Sequence, residues 1–229
     1  MEQLKRLELL VGENNLKKII NKTVMIVGIG GVGGYALEGI VRSGVKKIII
    51  VDFDLIDITN LNRQIISLHS NVGKYKVDEA YNRIKNINPE CEVIRIKDKI
   101  DINNIDKLFE YQIDYIIDAC DTLEVKKEII RSCLKNKIKF ISCMGTGNKL
   151  DPSKLEIIDI RKTSYDPLAK AIRKMVNEEK LKGKIMVVCS KEQPIKTNSK
   201  TIASSSFVPS IAGLLCTSYV INDIIKQGD

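Results

Sequence analysis

The chain has 229 residues, of which 44% are hydrophobic and 29% are charged, a composition typical of a globular protein and not of a disordered one. Only 5% are aromatic and tryptophan is absent, which argues against an aromatic platform for stacking single-stranded bases. The 37 Lys and Arg exceed the 29 Asp and Glu, and the net charge of +8 is compatible with a polyanionic partner such as RNA or with an ordinary lysine-rich surface.

The first part of the chain alternates strand patterns with helix patterns. Short, unbroken runs of Ile and Val predict strands whose two faces are both covered, namely TVMIVG, KKIIIVD, CEVIRIK, YIIDA and KFISCM. Helices are predicted over residues 35–43, 74–87 and 125–136, with a short one near 105–111. Alternation with short connections predicts an α/β fold with a doubly wound, Rossmann-like and mostly parallel sheet.

The pattern changes after the fifth predicted strand. LEIIDI and KIMVVCS predict two strands of a mixed or antiparallel extension, and Asp166-Pro167 predicts a capped helix start between them. We therefore predict a single domain over residues 1–229, with a nucleotide-binding half at 1–147 and a substrate and lid half at 148–229.

Two late segments differ strongly in polarity. Residues 191–206 are rich in Lys, Ser and Thr and predict a long, mobile loop that covers the site. Residues 207–225 are the most apolar stretch, but polar side chains interrupt it. We predict a buried or interface helix there, with docking on a membrane surface as the alternative.

The six cysteines form no C-x-x-C pair, and His69 is the sole histidine in the sequence. A zinc site built from two such pairs is therefore excluded, and a mixed Cys/His site is disfavoured. No secretory signal precedes the first predicted strand, so free thiols in a reducing cytoplasm are expected. His69 is predicted to be a loop residue and not a general base.

A glycine-rich turn, VMIVGIGGVGG, follows the first predicted strand. Gly28, Gly30 and Gly33 connect a strand to a helix, which allows a tight turn and places a helix N-terminus against a phosphate. Asp52, at the end of the second strand, is placed to hydrogen-bond a ribose hydroxyl. These residues predict an adenine-nucleotide site, but they suit NAD and ATP equally.

Charged residues further along the chain favour ATP chemistry. Arg63 and Lys76 follow Asp52 and can reach toward a triphosphate, and nucleotidyl transfer needs fixed positive charge where negative charge develops. Asp121 follows YIIDA at the predicted switch point of the sheet, where a carboxylate can hold Mg²⁺ together with the phosphates.

Together these motifs resemble the ThiF/MoeB/HesA superfamily of adenylating enzymes, which includes the ubiquitin-activating enzymes. The resemblance extends from RLELLVG to INDII and implies a homodimer, in which Arg6 reaches the triphosphate of the partner subunit. It implies an ATP site made of Gly28, Gly30, Gly31, Gly33, Asp52, Asp54, Asn60, Arg63, Gln64, Lys76 and Asp121.

Two departures narrow the resemblance. Activators of sulfur-carrier proteins usually carry two C-x-x-C pairs, which are absent, and the common Asp-Asn after the fourth strand is Asp121-Thr122 here. With KTSYDPLAKAIRK, VVCSKEQP and SSSFVPSIAGLL, the chain resembles the tRNA threonylcarbamoyladenosine dehydratases. That resemblance implies ATP-dependent cyclisation of a threonylcarbamoyl group on tRNA through carboxylate adenylation, releasing pyrophosphate and AMP.

Cys189 lies just before the predicted lid, where relatives in the superfamily can carry a sulfur or a thioester. Lys184 and Lys191 are the local cations that could activate it, and a buried structural cysteine is the competing interpretation.

Three other functions stay open at this point: an activator of a ubiquitin-like sulfur carrier, an NAD(H)-binding redox or sensor module, and a non-catalytic RNA-binding protein. A sulfur-transfer partner and a bound monovalent cation also stay open.

Overall fold

The computed structural model describes residues 2–199 and 201–226. Its strands are β1 (Thr23–Val27), β2 (Lys47–Val51), β3 (Glu92–Ile96), β4 (Tyr115–Asp118), β5 (Lys139–Cys143), β6 (Leu155–Asp159) and β7 (Met186–Ser190). Its α-helices are α1 (Lys5–Val11), α2 (Glu13–Ile20), α3 (Gly33–Arg42), α4 (Lys76–Ile87), α5 (Leu123–Asn136), α6 (Pro167–Glu178) and α7 (Phe207–Lys226). Short 3₁₀ turns lie at Glu2–Leu4, Ile58–Asn60, His69–Asn71, Ile105–Glu110, Pro152–Lys154 and Ile160–Lys162.

The strands form one sheet in the order β3-β2-β1-β4-β5-β7-β6. All neighbouring strands are parallel except β6 and β7, which pair antiparallel at one edge. The predicted doubly wound sheet with an antiparallel extension is therefore confirmed. Because β1 lies between β2 and β4, the chain reverses its direction of winding there, and the exits of β1 and β4 flank the switch point.

The two faces of the sheet are covered by separate hydrophobic cores. In β2, Ile48 and Ile50 belong to one core, whereas Ile49 and Val51 belong to the other. Since alternate side chains point to opposite faces, a strand covered on both sides needs apolar residues at every position. This burial explains the unbroken Ile and Val runs of the central strands. The edge strand β3 has no buried residue, so the prediction that both its faces are covered was wrong.

Element boundaries differ slightly from the sequence prediction. The helix predicted at 35–43 begins at Gly33, inside the glycine turn, and the one predicted at 74–87 begins at Lys76. The short helix near 105–111 is a 3₁₀ turn. The start of α6 is as predicted, because Asp166 Oδ1 accepts from the backbone N–H of Ala169 at 2.8 Å.

The apolar C-terminal segment forms α7, a core helix packed on α3, α2 and β5. By length and composition alone α7 is apolar enough to cross a membrane, but half of its most apolar window is buried inside the protein. A Cβ added to Gly213 would lie 2.2 Å from Val32 O, and one added to Gly39 would lie 2.6 Å from Thr217 Oγ1. Glycine at both positions therefore allows α7 and α3 to approach closely.

Candidate active site

The glycine turn closes tightly between the exits of β1 and β4. Gly28 has φ +86°, and its N–H donates to Val51 O at 2.8 Å. A Cβ on Gly28 would lie 2.8 Å from Ala119 O, and a Cβ on Gly33 would lie 1.7 Å from Gly28 O. Because no side chain fits at either position, the turn requires glycine, and the N-terminus of α3 points at the switch point.

Two glycine substitutions separate the structural and binding roles of this turn. Gly33→Ala should lower the free energy of unfolding by about 1–3 kcal/mol, because the new methyl group overlaps Gly28 O. Gly30→Ala meets only Gln64 Nε2 at 3.9 Å, so unfolding should change by less than about 0.5 kcal/mol. Gly30→Ala should still weaken ATP binding, because the backbone at Gly30 must approach the phosphates closely. Urea unfolding and ATP calorimetry test this; equal unfolding losses for both variants would contradict it.

Asp52 ties the end of β2 to the glycine turn. Its Oδ2 accepts from Ile29 N–H at 2.6 Å and its Oδ1 from Asp54 N–H at 2.8 Å. Burial raises the pKa of Asp52, while the nearby Lys76 ammonium acts in the opposite direction. The carboxylate retains further lone pairs, and its contact with a ribose hydroxyl stays a prediction.

Lys76 is the first residue of α4 and is only 5% exposed. Its Nζ lies 2.7 Å from Asp54 Oδ2 and 4.0 Å from Asp52 Oδ2. A cation at a helix N-terminus is unfavourable for the helix dipole, and Asp78 and Glu79 in the first turn offset part of that cost. Such a local conflict is typical of a functional position, and it fixes a positive charge beside the predicted ribose ligand.

Arg63 lies against the glycine turn. Its Nη1 donates to Thr59 O at 3.0 Å and to Asn62 Oδ1 at 2.9 Å. Its Cγ is 3.3 Å from the position that a Cβ on Gly31 would take. The Cβ of Pro209 in α7 is also 3.3 Å from that position. The structure therefore brings Arg63 and the glycine turn together, with the first turn of α7 alongside.

Gln64 carries an unsatisfied buried atom beside the same turn. Its Oε1 has no hydrogen-bond partner within the described part of the chain, and its Nε2 is the nearest atom to the position of a Cβ on Gly30. Buried polar atoms are normally paired, so a bound nucleotide is a suitable source of the missing donor. Asn60 differs, because its Oδ1 already accepts from Asp57 N–H at 3.1 Å and holds the loop.

Asp121 lies on the exposed loop after β4, where its Oδ1 accepts weakly from Thr122 Oγ1 at 3.4 Å. The fully buried side chains of Asp118, Lys126 and Ser142, which sequence reasoning missed, form a network next to this loop. Asp118 Oδ2 accepts from Lys126 Nζ at 2.8 Å and from Ser142 Oγ at 2.6 Å, and Asp118 Oδ1 accepts from Cys120 N–H at 3.2 Å.

The network keeps a charged lysine inside the protein. Burial alone would lower the pKa of Lys126, but the carboxylate of Asp118 outweighs it and raises that pKa above its usual value. The pair fixes the exit of β4 to α5, and the Asp121 loop starts from that junction.

A second buried lysine was also missed. Lys149 Nζ donates to Gly145 O at 2.6 Å and to Asp166 Oδ2 at 3.2 Å. Because Asp166 also caps α6, this contact joins the exit of β5 to the start of α6. Both buried lysines therefore lie near the edge of the sheet that carries the glycine turn.

The predicted lid segment, residues 191–206, is linked to this edge by hydrogen bonds. Asn148 N–H donates to Ala203 O at 2.7 Å, and Ala203 N–H donates to Asn148 Oδ1 at 2.9 Å. Asn62 Nδ2 donates to Ser204 O at 3.1 Å, next to Arg63. The segment thus reaches the predicted ATP site; Lys200 within it lies outside the described residues.

Two predicted positions lie apart from this constellation. Arg6 is exposed on α1, and in the described ranges it makes no hydrogen bond to another predicted site residue. His69 is an exposed residue of the 3₁₀ turn His69–Asn71.

Cys189 is buried within β7. Burial, together with the nearby Asp166 carboxylate, raises the pKa of Cys189 to about 12, although Lys149 opposes the shift. The two lysines that could activate the thiol are not placed to do so. Lys191 Nζ pairs with Glu156 Oε2 at 2.7 Å, and Lys184 precedes the opposite end of β7. The geometry favours the structural interpretation, because a buried protonated thiol is a poor nucleophile.

Replacing Cys189 by alanine tests that interpretation. We expect Cys189→Ala to lower the free energy of unfolding by about 1 kcal/mol through lost packing and to leave kcat/KM unchanged. Cys133→Ala is a matched control, since Cys133 is also buried. A loss of turnover for the Cys189 variant alone, with normal unfolding, would assign a chemical role to the thiol.

The fold and this site define a nucleotide-binding α/β domain. Its mostly parallel sheet carries a glycine turn after β1, an acidic residue after β2, and charged side chains near the switch point. The chain belongs to the ThiF family, whose sequence profile matches residues 2–222.

Two curated relatives and one solved structure show its neighbours. The chain is 41% identical to a tRNA threonylcarbamoyladenosine dehydratase of Bacillus subtilis, with 99% of this chain and 96% of that protein aligned. It is 36% identical to the Escherichia coli protein of the same name over 79% of this chain and 69% of that protein. It is also similar to the crystal structure of the E. coli enzyme in complex with ATP, with TM-score 0.93, 31% identity, and 99% and 97% coverage of the two chains.

Proposed function

We propose that this chain is an ATP-dependent tRNA threonylcarbamoyladenosine dehydratase that acts by carboxylate adenylation. The observation that carries the proposal is the buried Lys76 ammonium held beside Asp52 and the glycine turn, in a chain similar over its full length to enzymes of that name. The alternative, an activator of a sulfur-carrier protein, normally needs C-x-x-C pairs that the sequence lacks.

In the proposed reaction, a carboxylate oxygen of the substrate attacks the α-phosphorus of ATP and pyrophosphate leaves. Asp52 orients the ribose, the N–H groups of the glycine turn contact the phosphates, and Lys76 and Arg63 stabilise the developing negative charge. The neighbouring carbamoyl group then attacks the acyl carbon and expels AMP, so that the net change is loss of water. Because both reacting groups lie in one molecule, the ring closes without a protein nucleophile.

Magnesium fits the exposed carboxylate of Asp121. Among the described residues no group of three or more His, Cys, Asp or Glu could hold a metal ion by itself. Mg²⁺ commonly binds through one or two carboxylates plus substrate phosphates, and Asp121 offers one carboxylate with little competing hydrogen bonding. When bound, the ion would neutralise phosphate charge. A monovalent cation stays a prediction without assigned residues.

We further propose a homodimer that uses Arg6 in trans. Arg6 shares α1 with Leu9 and Leu10, which are 76% and 82% exposed, and an apolar surface of this kind suits a second subunit. Mixing Arg6→Ala with Lys76→Ala subunits should restore activity that each variant lacks alone, because a hybrid dimer contains one intact site. No recovery in verified hybrids would place Arg6 outside the partner's site.

The cellular setting is proposed on the cysteines. All six are free thiols and five are buried, which suits a reducing cytoplasm. A sulfur-transfer partner stays a prediction to which no described residue is assigned.

The division of the domain into a nucleotide-binding half and a substrate half between residues 147 and 148 also stays a prediction. The sheet continues across this point.

The deciding experiment supplies ATP, Mg²⁺ and threonylcarbamoylated tRNA to the wild-type chain. The expected result is a modified nucleoside lighter by one water, with pyrophosphate and AMP formed in equal amounts. If the tRNA is unchanged and a small carrier protein promotes ATP–pyrophosphate exchange, the sulfur-carrier alternative is correct. Stabilisation by NAD without stabilisation by ATP and Mg²⁺ would indicate a redox or sensor module.

A further inference from the structure

Positive charge is concentrated in one stretch of the chain. Residues 161–196 contain ten Lys or Arg against four Asp or Glu, a surplus of six within a net charge of +8. In the structure this stretch forms the 3₁₀ turn Ile160–Lys162, α6 and β7, next to the edge strand β6. The basic surplus therefore occupies one end of the molecule.

The exposed face of α6 is basic and polar. Its apolar residues Ala169, Ile172, Met175 and Val176 are buried in the core. On the other face, Lys170, Arg173 and Lys174 line a shallow depression of about 580 Å³. A second depression of about 550 Å³ lies beside β6 and is lined by Arg161, Lys162 and Lys184.

The nearby carboxylates neutralise this surface only in part. Glu178 Oε1 lies 3.7 Å from Lys174 Nζ in an exposed pair, which contributes little, and Asp159 pairs with Arg161. Asp166 is bound to Lys149, Glu179 pairs with Arg131, and Glu192 accepts from backbone N–H groups. Across the described part of this region, exposed Lys162, Lys170 and Lys184 belong to none of the ion pairs. These ammonium groups are therefore available to an anionic partner.

An exposed aromatic ring stands at the start of α6. Tyr165 has φ +58° and is 57% exposed, in a turn closed by Asp166 N–H donating to Ser164 O at 2.7 Å. A bulky residue rarely adopts the left-handed conformation, and such positions cluster at functional sites. Through Asp166 this turn contacts Gly145 at the exit of β5, on the edge of the sheet that carries the predicted ATP site.

We propose that this surface, defined by Tyr165, Lys170, Lys174 and Lys162, holds the tRNA substrate. The lysines would contact backbone phosphates and Tyr165 would stack on an unpaired base near the reacting nucleoside. The inference rests on the proposed function. Charge spread over two depressions suits a polyanion, and a helix that docks on a membrane would expose an apolar face, which α6 buries.

A triple variant, Lys162→Ala/Lys170→Ala/Lys174→Ala, tests the electrostatic part. The matched control, Lys18→Ala/Lys46→Ala/Lys107→Ala, removes the same charge elsewhere. We expect the first variant to bind tRNA at least tenfold more weakly at low salt. Its log–log salt slope should be shallower by roughly 2, since each lost phosphate contact removes about 0.7–0.9. ATP affinity and turnover at saturating tRNA should match the control.

Tyr165→Ala should weaken tRNA binding roughly tenfold without changing the salt slope of that binding, because stacking releases no counterions. Equal tRNA affinity and slope for the triple variant and its control would overturn the proposal. So would loss of phosphatidylserine-vesicle binding with tRNA binding intact, which would make the surface a membrane contact. If the wild-type chain neither binds nor dehydrates the tRNA, the proposed function itself fails.

Discussion

Lys76→Ala is expected to lower the rate of ATP-dependent adenylation by about 10²–10³-fold, the usual cost of removing one fixed stabilising group from such a site. In the free protein the Nζ of Lys76 is held by Asp54 at 2.7 Å. Its position beside Asp52 keeps a positive charge at the predicted ribose end of the site. The substitution removes this charge and leaves the carboxylates of Asp52 and Asp54 without their nearby cation, which should disfavour the approach of a triphosphate.

Lys74→Ala is the matched control for this loss. Lys74 precedes the same helix, and its exposed ammonium is 3.7 Å from Glu79. Its removal should change turnover little, because exposed ion pairs contribute about 0–1 kcal/mol. Pyrophosphate release and formation of the dehydrated nucleoside are the measurements. If Lys76→Ala forms product at the wild-type rate, the assignment of Lys76 to the phosphates is wrong.

Lys126→Met is expected to destabilise the protein by about 3–5 kcal/mol, because it leaves the buried carboxylate of Asp118 without its cation. Both side chains are fully buried. Since the pKa of Lys126 is raised in the folded state, its contribution is complete at neutral pH and declines only as the pH rises through that raised pKa. Urea unfolding at pH 7 measures the loss directly.

Lys127→Met provides the comparison, since Lys127 is the next residue and its ammonium lies 2.8 Å from exposed Glu124. We expect a change below about 1 kcal/mol for it. Combining Lys126→Met with Asp118→Leu should recover part of the stability, because the unpaired charge disappears. Equal destabilisation by Lys126→Met and Lys127→Met would contradict the role given to the buried pair.

The sequence predicts the sheet and the glycine turn because both depend on local patterns. Covered strands need unbroken apolar runs, and the turn at Gly28 needs a residue that tolerates φ +86°. Asp166 is likewise predictable as an N-cap, because the capping bond joins neighbours in the chain. Asp52 follows from its position at the end of a strand.

The buried charges could not be predicted in the same way. Lys126 does share the apolar face of α5 with Ile129, Ile130 and Cys133, a local signal that was overlooked. The carboxylates that pair with Lys126 and Lys149 are brought near by tertiary packing, so the ion pairs themselves have no such signal. The same limit applies to Cys189, because its neighbour Lys191 pairs with Glu156 and not with the thiol. Pairwise chemistry between distant segments leaves no local signal.

The seating of α7 on α3 has a consequence for biosynthesis. Helix α3, which follows the glycine turn, is covered by α7, a segment translated after every strand of the sheet, and Pro209 of α7 lies 3.3 Å from the position that a Cβ on Gly31 would take. Strand β6 likewise cannot pair until its neighbour in the sheet, β7, has been translated. A ribosome-bound chain that ends before residue 207 should therefore have an incomplete nucleotide pocket. Binding of ATP should begin to stabilise the folded state only after α7 has left the exit tunnel.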